Sequence, residues 1–142
     1  MPEGTTERCV DDTHGKVPRG KILLVDEDTN DLQLYTWVLR KQDYVVDCCA
    51  TYQEGAERLE RGWYDLIILS QGGRSFEGRP LLERAIELNR RRPVLVLTRC
   101  IDMPSYLDVM YLGALDYMEK PLGPWEITKA VSNCLSHRVA AA

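Results

Sequence analysis

Short, uniformly apolar runs alternate with amphipathic stretches along most of this chain. The runs ILLV and LIIL, at residues 22–25 and 66–69, are apolar at every position. That pattern is typical of strands in a parallel sheet that helices cover on both faces. The alternation predicts strands at 22–25, 45–49, 66–69, 94–98 and 116–118, and helices at 31–41, 53–61, 80–90, 104–112 and 124–137. We therefore predict an α/β domain with a central parallel sheet of five strands and five helices.

Turn-forming residues agree with these boundaries. Pro80 suits the first turn of a helix, and Gly113 suits the residue after one. Pro93 and Pro121 mark the ends of the segments before them. One connection is longer than the others, the loop at 71–79, which contains three glycines. Long loops in compact domains are more often functional than accidental, and a surface excursion is the alternative.

The two ends of the chain differ from the periodic middle. The first 20 residues mix Gly, Pro, Thr and both signs of charge without periodicity. We predict a flexible leader at 1–20, one folded domain at 21–138 and a short tail at 139–142. A chain of 142 residues with 44% hydrophobic side chains is long enough to bury a core of its own.

Charge and hydropathy exclude two classes of partner. The formal net charge of −4 provides no basic field for nucleic acid. No apolar run approaches the roughly 18 residues that a membrane span needs, and the N-terminus lacks the apolar stretch of a signal peptide. We expect a cytoplasmic protein that binds neither nucleic acid nor membrane.

The cysteines predict neither a disulfide framework nor a metal site. Their number is odd and their spacing contains no CxxC or Cys/His pairing. The five are Cys9, Cys48, Cys49, Cys100 and Cys134. The adjacent Cys48 and Cys49 would point to opposite faces of a strand, which disfavours a disulfide between them. All five are interpreted as reduced thiols.

The ends of the predicted strands carry the residues that are candidates for chemistry. In an open parallel sheet, ligands bind outside the carboxyl ends of the strands. Those ends are Asp26-Glu27, Ser70, Thr98-Arg99 and Lys120. Adjacent carboxylates need a cation nearby, such as a divalent metal ion or Lys120. The alternative is that the acidic residues only cap the following helix.

The chain resembles the receiver domain of two-component response regulators over about residues 21–138. Four segments carry this resemblance: ILLVDEDTND, YDLIILS, PVLVLT and GALDYMEKP. The resemblance implies a flavodoxin-like three-layer sandwich with strand order 2-1-3-4-5. It also implies a role for each matching residue: Asp26 and Glu27 as the acidic pair, Thr98 as the hydroxyl switch residue, Tyr117 as the switch aromatic and Lys120 as the phosphate-contacting lysine. The Lys120-Pro121 bond would match a peptide bond that is often cis.

Two positions depart from the family pattern. Ser70 stands where the family has its phosphoacceptor Asp, and Arg99 stands where a small residue usually follows the Thr. A serine must lose a proton to a base before it attacks, whereas an aspartate is already ionised at neutral pH. Loss of the acceptor carboxylate should also weaken a Mg²⁺ site formed by Asp26 and Glu27. Arg99 would either crowd the pocket or act as an internal cation.

We interpret the chain as an atypical receiver that works through protein contacts, independently of Asp phosphorylation. No cofactor is required, Mg²⁺ binds weakly at best, and no catalytic residues are assigned. A receiver that is phosphorylated on Ser70 or a nearby carboxylate with Mg²⁺ is the first alternative. A flavodoxin-like ligand binder is less favoured, because DEDTND has no glycine to cradle a phosphate.

The family resemblance also implies where partners bind. Dimer mates and signalling partners, such as a histidine kinase or an output protein, would use the stretch 104–138. It contains the aromatic residues Tyr106, Tyr111, Tyr117 and Trp125. Aromatic residues are enriched at interface hot spots, but we expect at least half of these four to pack in the core.

Overall fold

The computed structural model describes residues 17–141, with side chains described as far as residue 137. Most of the predicted leader and tail therefore lies outside the described residues or side chains. The strands are β1 (Gly20–Val25), β2 (Tyr44–Cys49), β3 (Leu66–Ser70), β4 (Val94–Thr98) and β5 (Asp116–Glu119). The helices are α1 (Thr29–Lys41), α2 (Tyr52–Arg61), α3 (Arg79–Leu88), α4 (Met103–Tyr111) and α5 (Pro124–Ala141). All ten predicted elements are present.

The five strands form one parallel sheet in the order β2-β1-β3-β4-β5, as predicted. Successive side chains of β1 alternate between two cores. Ile22 belongs to the core that α1 and α5 cover, and Leu23 belongs to the core that α2, α3 and α4 cover. Helices therefore lie on both faces of the sheet, which confirms the three-layer sandwich and explains the uniformly apolar strands.

Side-chain caps determine where several helices begin. Asp28 accepts the backbone N–H groups of Asn30 and Asp31 at 3.0 and 3.1 Å, so α1 begins at Thr29, two residues before the predicted start. Asp102 caps α4 in the same way through the Ser105 N–H at 2.8 Å. At the other end of the domain, α5 continues to Ala141, beyond its predicted end at residue 137.

The long loop after β3 is folded on its own hydrogen bonds. Glu77 accepts the Gly73 N–H at 2.6 Å and the Ser75 hydroxyl at 3.0 Å. Gly72 has φ +89°, a left-handed conformation that favours glycine. Phe76 anchors the loop in the α2–α4 core. The loop therefore leaves β3 in a defined path next to the strand ends.

Two sequence-based expectations can be compared with the described residues. Cys48, Cys49, Cys100 and Cys134 are reduced cysteines rather than members of disulfides, as expected, while Cys9 lies outside the described part of the chain. No helix between residues 17 and 141 is long and apolar enough to cross a bilayer.

The expectation that at least half of the four aromatic residues in 104–138 pack in the core is wrong. Tyr117 is buried, but the exposed fractions of Tyr106, Tyr111 and Trp125 are 39%, 88% and 72%. Tyr106 and Tyr111 lie on α4 and Trp125 lies on α5, where large parts of their side chains face solvent. Aromatic character alone does not distinguish an inward position from an outward one, because both kinds of residue occur on amphipathic helices.

Candidate functional site

The carboxyl ends of four strands place four polar side chains at one edge of the sheet. Asp26 follows β1, Ser70 closes β3, Thr98 closes β4 and Lys120 follows β5. Their exposed fractions are 1%, 9%, 3% and 6%, so all four are buried. Because buried polar groups need partners, their contacts determine what this pocket can do.

Asp26 and Lys120 form a buried ion pair at the centre of the pocket. The Lys120 ammonium donates to Asp26 Oδ2 at 2.7 Å, and both side chains are 2% exposed. The other carboxylate oxygen accepts the Asp28 N–H at 2.9 Å. Burial raises the pKa of Asp26, and the hydrogen bonds from Lys120 and Asp28 only partly oppose that shift. Both oxygens of this carboxylate therefore already have partners from the protein.

A second set of ion pairs extends from the pocket to its mouth. Asp31 lies 3.1 Å from the Lys120 ammonium and accepts from the Arg99 guanidinium at 2.7 Å. Arg99 also donates to Asp28 at 2.5 Å, and hydrogen bonds from the Asp31 N–H and Arg99 lower the pKa of Asp28. The Arg99 side chain is 59% exposed, so it joins Asp28 and Asp31 at the mouth of the pocket. It does not enter the interior, where it was expected either to crowd the pocket or to act as an internal cation.

Glu27 lies apart from the other predicted pocket residues. Its side chain is exposed, and no hydrogen bond or ion pair joins it to another described residue. Its charge acts on Tyr52, where it contributes to a raised pKa of that phenol. The expected contact between Glu27 and Lys120 is absent from the described structure, because Asp26 and Asp31 occupy that position. Asp26 is buried whereas the adjacent Glu27 is exposed, so only the first carboxylate of the pair lies in the pocket.

Ser70 is held from two sides at the end of β3. Lys120 Nζ lies 3.5 Å from its hydroxyl oxygen, and the Tyr52 phenol donates to its carbonyl at 2.7 Å. Gly78 packs so closely that a Cβ there would lie 2.6 Å from the Ser70 carbonyl oxygen. Burial raises the pKa of Tyr52, so its phenol remains a hydrogen-bond donor at neutral pH. The charged group in contact with the Ser70 hydroxyl is the ammonium of Lys120.

The two predicted switch residues lie behind the pocket. The Thr98 hydroxyl accepts the Cys100 N–H and donates to the Cys100 carbonyl, each at 3.2 Å. Its side chain also forms a hydrogen bond that acts to lower the pKa of Tyr117. Tyr117 is 4% exposed, and its hydroxyl donates to the side-chain oxygen of Gln71, which is 5% exposed. Burial raises the pKa of Tyr117. The structure therefore pairs Tyr117 with the residue that follows Ser70.

The residues that the family would use for Mg²⁺ are a poor fit to that ion in this chain. Magnesium binds through carboxylates and keeps near-ideal octahedral geometry. Asp26 has both oxygens engaged by protein donors, Glu27 points outward and Ser70 offers an uncharged oxygen. Among residues 17–141, no group of three or more His, Cys, Asp or Glu side chains is arranged to hold a metal ion. The donor set therefore resembles an ion-paired pocket rather than a metal site.

Sequence reasoning missed three residues of this region: Asp31, Tyr52 and Gln71. Asp31 carried a usable signal, because it follows Asp28 by three residues and the two therefore share one side of α1. Gln71 is two residues after Leu69 and four after Ile67, and alternate residues of a strand point to the same face of the sheet. This spacing predicts that Gln71 lies on the face that also contains Tyr117. Tyr52 lies at the start of another helix and gave no local signal.

The pocket and fold can now be compared with known proteins. A family model described as the response regulator receiver domain matches residues 22–132 of the chain. This chain belongs to that family. The receiver domain is 31% identical over 107 residues to the transcriptional regulatory protein BasR of Escherichia coli, covering 75% of this chain and 48% of BasR. It is 33% identical over 114 residues to the transcriptional regulatory protein PmrA of Pectobacterium parmentieri, covering 78% of this chain and 50% of PmrA.

The solved structures agree with this assignment. A CheY-like response regulator receiver domain protein from Methanospirillum hungatei superposes with a TM-score of 0.80 and 25% sequence identity. That match covers 86% of this chain and 98% of the other. The receiver domain described here spans half or less of the length of the curated relatives that it matches. The cis Lys120-Pro121 bond, implied by the family resemblance, is present.

Proposed function

We propose that this chain is an atypical receiver that signals through protein contacts and does not depend on phosphorylation at the end of β3. One observation carries the proposal. Ser70 occupies the position of the family's acceptor Asp, while the neighbouring Lys120 is already paired with Asp26 at 2.7 Å. The lysine that would contact a phosphoryl group therefore has its charge compensated within the pocket.

Charge balance supports this reading. An additional carboxylate about 5 Å from Asp26 would cost roughly 3 kcal/mol at an effective dielectric near 20. Ser70 adds no such charge. Lys120 contacts Asp26 and Asp31 within the pocket and Arg99 contacts Asp28 and Asp31 at its mouth, so cations of the protein partly compensate the acidic charge. The pocket is then stable in one electrostatic state without added ions.

The surroundings of Ser70 also disfavour covalent chemistry. A serine nucleophile needs a base that accepts its proton. The charged group nearest to its hydroxyl is the Lys120 ammonium, which donates and cannot accept. The only histidine among the described residues is His137, near the end of α5. The proposed role is therefore non-enzymatic.

The proposed partners are a second copy of this chain and a signalling protein, a histidine kinase or an output protein. The support is the outward face of α4, where Met103, Leu107 and Tyr111 are 65%, 58% and 88% exposed. An apolar surface of this kind is characteristic of interaction sites. The net charge of −4 favours protein over nucleic acid as the partner, and we place this activity in the cytoplasm.

The test is incubation of the whole chain with acetyl phosphate and Mg²⁺, followed by intact-protein mass spectrometry. We expect no phosphorylated species with the natural sequence. Ser70→Asp is the matched variant, since it restores the acceptor carboxylate and should gain an acid-labile phosphate if the remaining pocket is competent. A receiver known to accept phosphate from acetyl phosphate verifies the reagent. Mg²⁺-dependent phosphorylation of the unaltered chain would overturn the proposal and favour a receiver modified on Ser70 or a nearby carboxylate.

A further inference from the structure

Gln71 occupies an unusual position for a polar side chain, because it is buried between the pocket and the α2–α4 core. Its backbone is fixed on both sides: its N–H donates to the Leu97 carbonyl at 2.7 Å, and its carbonyl accepts the Gly78 N–H at 3.0 Å. Its side chain is 5% exposed. A buried amide needs a partner, and the hydroxyl of Tyr117 provides one.

This hydrogen bond crosses the sheet. Gln71 follows β3 and Tyr117 belongs to β5, with β4 lying between them in the strand order. The bond joins residues 46 positions apart in the chain and is buried. Neutral hydrogen bonds gain strength where water is excluded, and losing one partner leaves the other unsatisfied. The Tyr117 ring is therefore kept inside the domain by a defined contact.

The position of Tyr117 affects α4 directly. Its ring centroid lies 6.1 Å from that of Tyr106 on α4, with the rings tilted by 42°. The only residue of α4 that is fully buried is Val109. An ion pair between Arg79 and Asp108 adds a contact with α3 near the surface. Val109 and the partly buried Met110 form the apolar anchor of α4, and the inward Tyr117 ring adds to the attachment of this helix to the sheet.

We propose that Gln71 is a positioning residue that holds Tyr117 inside the domain and thereby fixes α4 in one position without a phosphoryl group or metal ion. Thr98 and Ser105 also hydrogen-bond to Tyr117 through their side chains, and Gln71 accepts the hydrogen bond that the Tyr117 hydroxyl donates. The inference rests on the proposed function, since it names what maintains the single state of the interaction surface. It places the control of α4 in a side chain that follows the pocket, rather than in the pocket's ion pairs.

Amide hydrogen exchange of the whole chain without Mg²⁺ or phosphate donor tests this inference. Gln71→Leu removes the acceptor, and Tyr117→Phe removes the donor. Each should speed exchange of the α4 amides at 106–112 by about tenfold, the effect expected from loss of one buried hydrogen bond. The double variant should exchange no faster than Tyr117→Phe, since that variant already lacks the bond to Gln71. Amides of β1 and β3 should remain unchanged, which distinguishes a positioning role from general destabilisation.

Tyr64→Phe is the matched control. This change also removes a phenol hydrogen bond, which Tyr64 donates to Asp47 at 2.6 Å. That bond lies at the β2 edge of the sheet, whereas Tyr117 belongs to β5 at the opposite edge. The α4 amides of Tyr64→Phe should exchange as in the natural chain. Unchanged α4 exchange in Gln71→Leu, or additive effects in the double variant, would overturn the inference and leave the phosphorylation result untouched. Phosphorylation of the natural chain would instead remove the proposed function without altering these exchange rates.

Discussion

Lys120 is a buried cation that faces two carboxylates. Its ammonium lies 2.7 Å from Asp26 and 3.1 Å from Asp31, and its side chain is 2% exposed. A buried ion pair of this kind adds little net stability, because desolvation offsets most of the attraction. Removing one member of the pair is strongly destabilising, because the remaining charge is buried without a partner. Lys120 is therefore needed to keep the pocket folded around Asp26.

Replacing this residue by an apolar one of similar length should be strongly destabilising. We expect Lys120→Met to lower the free energy of unfolding at pH 7 by about 3–5 kcal/mol, measured by urea denaturation. This loss of stability should become smaller as the pH falls. Burial raises the pKa of Asp26, so the native state binds a proton there more tightly than the unfolded chain does, and the protonated carboxyl no longer leaves a buried charge without a partner. Adding Asp26→Asn should recover part of the loss.

Arg99→Gln is the control for this prediction. It removes the ion pairs at the mouth, where the side chain is 59% exposed, and should cost no more than about 1 kcal/mol. Similar losses for Lys120→Met and Arg99→Gln would show that the buried pair has no special role.

At the scale of elements, the loop between β3 and α3 determines how closely the backbone approaches the pocket. Its hydrogen bonds through Glu77 and its buried Phe76 give it a fixed path. Gly78 has φ −77°, so its glycine is not required by backbone conformation. It is required by space, because the Ser70 carbonyl oxygen lies only 2.6 Å from the position that a Cβ would take.

Gly78→Ala should therefore force Ser70 or the loop to move. We expect a loss of about 1–3 kcal/mol in the free energy of unfolding, the usual cost of overpacking. Gly73→Ala is the matched substitution, because the nearest atoms to its Cβ are Glu77 carboxylate oxygens at 3.6 Å. It should change stability by no more than about 1 kcal/mol. Equal losses in thermal or urea unfolding would contradict the role assigned to the close contact at Gly78.

At the scale of the whole molecule, both helical layers leave apolar side chains exposed to solvent. The outward surface of α4 combines Met103, Leu107 and Tyr111, all more than half exposed. Helix α1, on the opposite face of the sheet, also carries exposed apolar side chains, including Leu34 at 45%. The proposal of a dimer through 104–138 selects the first of these faces, so the two can be compared in one experiment.

We expect the chain to form a dimer in sedimentation equilibrium, and Leu107→Glu to weaken it by at least about tenfold. Two introduced carboxylates would meet across a twofold interface, where like charges are unfavourable. Leu34→Glu, the same change on α1, should leave the dimer intact. A chain that remains monomeric at all concentrations, or one in which Leu34→Glu has the larger effect, would rule out the α4 interface.

The elements, the parallel sheet and the residues at the strand ends follow from the amino-acid sequence alone. These features follow from local periodicity: apolar runs covered on both faces, helical amphipathicity and turn residues act over a few neighbouring positions. The family resemblance also depends only on residue type and order at the strand ends. The residues that match are Asp26, Thr98 and Lys120. Short-range rules were sufficient for that much.

Only the tertiary structure decided which groups meet. Lys120 and Asp26 are 94 residues apart, and Arg99 and Asp31 are 68 apart, so no local pattern relates them. The direction in which each side chain leaves its strand end placed Asp31 at the ammonium instead of Glu27, and Arg99 at the mouth instead of the interior. The pairing of Tyr117 with Gln71 depends likewise on the strand order. Partner choice is a property of three-dimensional packing, because a buried charge or amide must be satisfied by whatever the fold brings within reach.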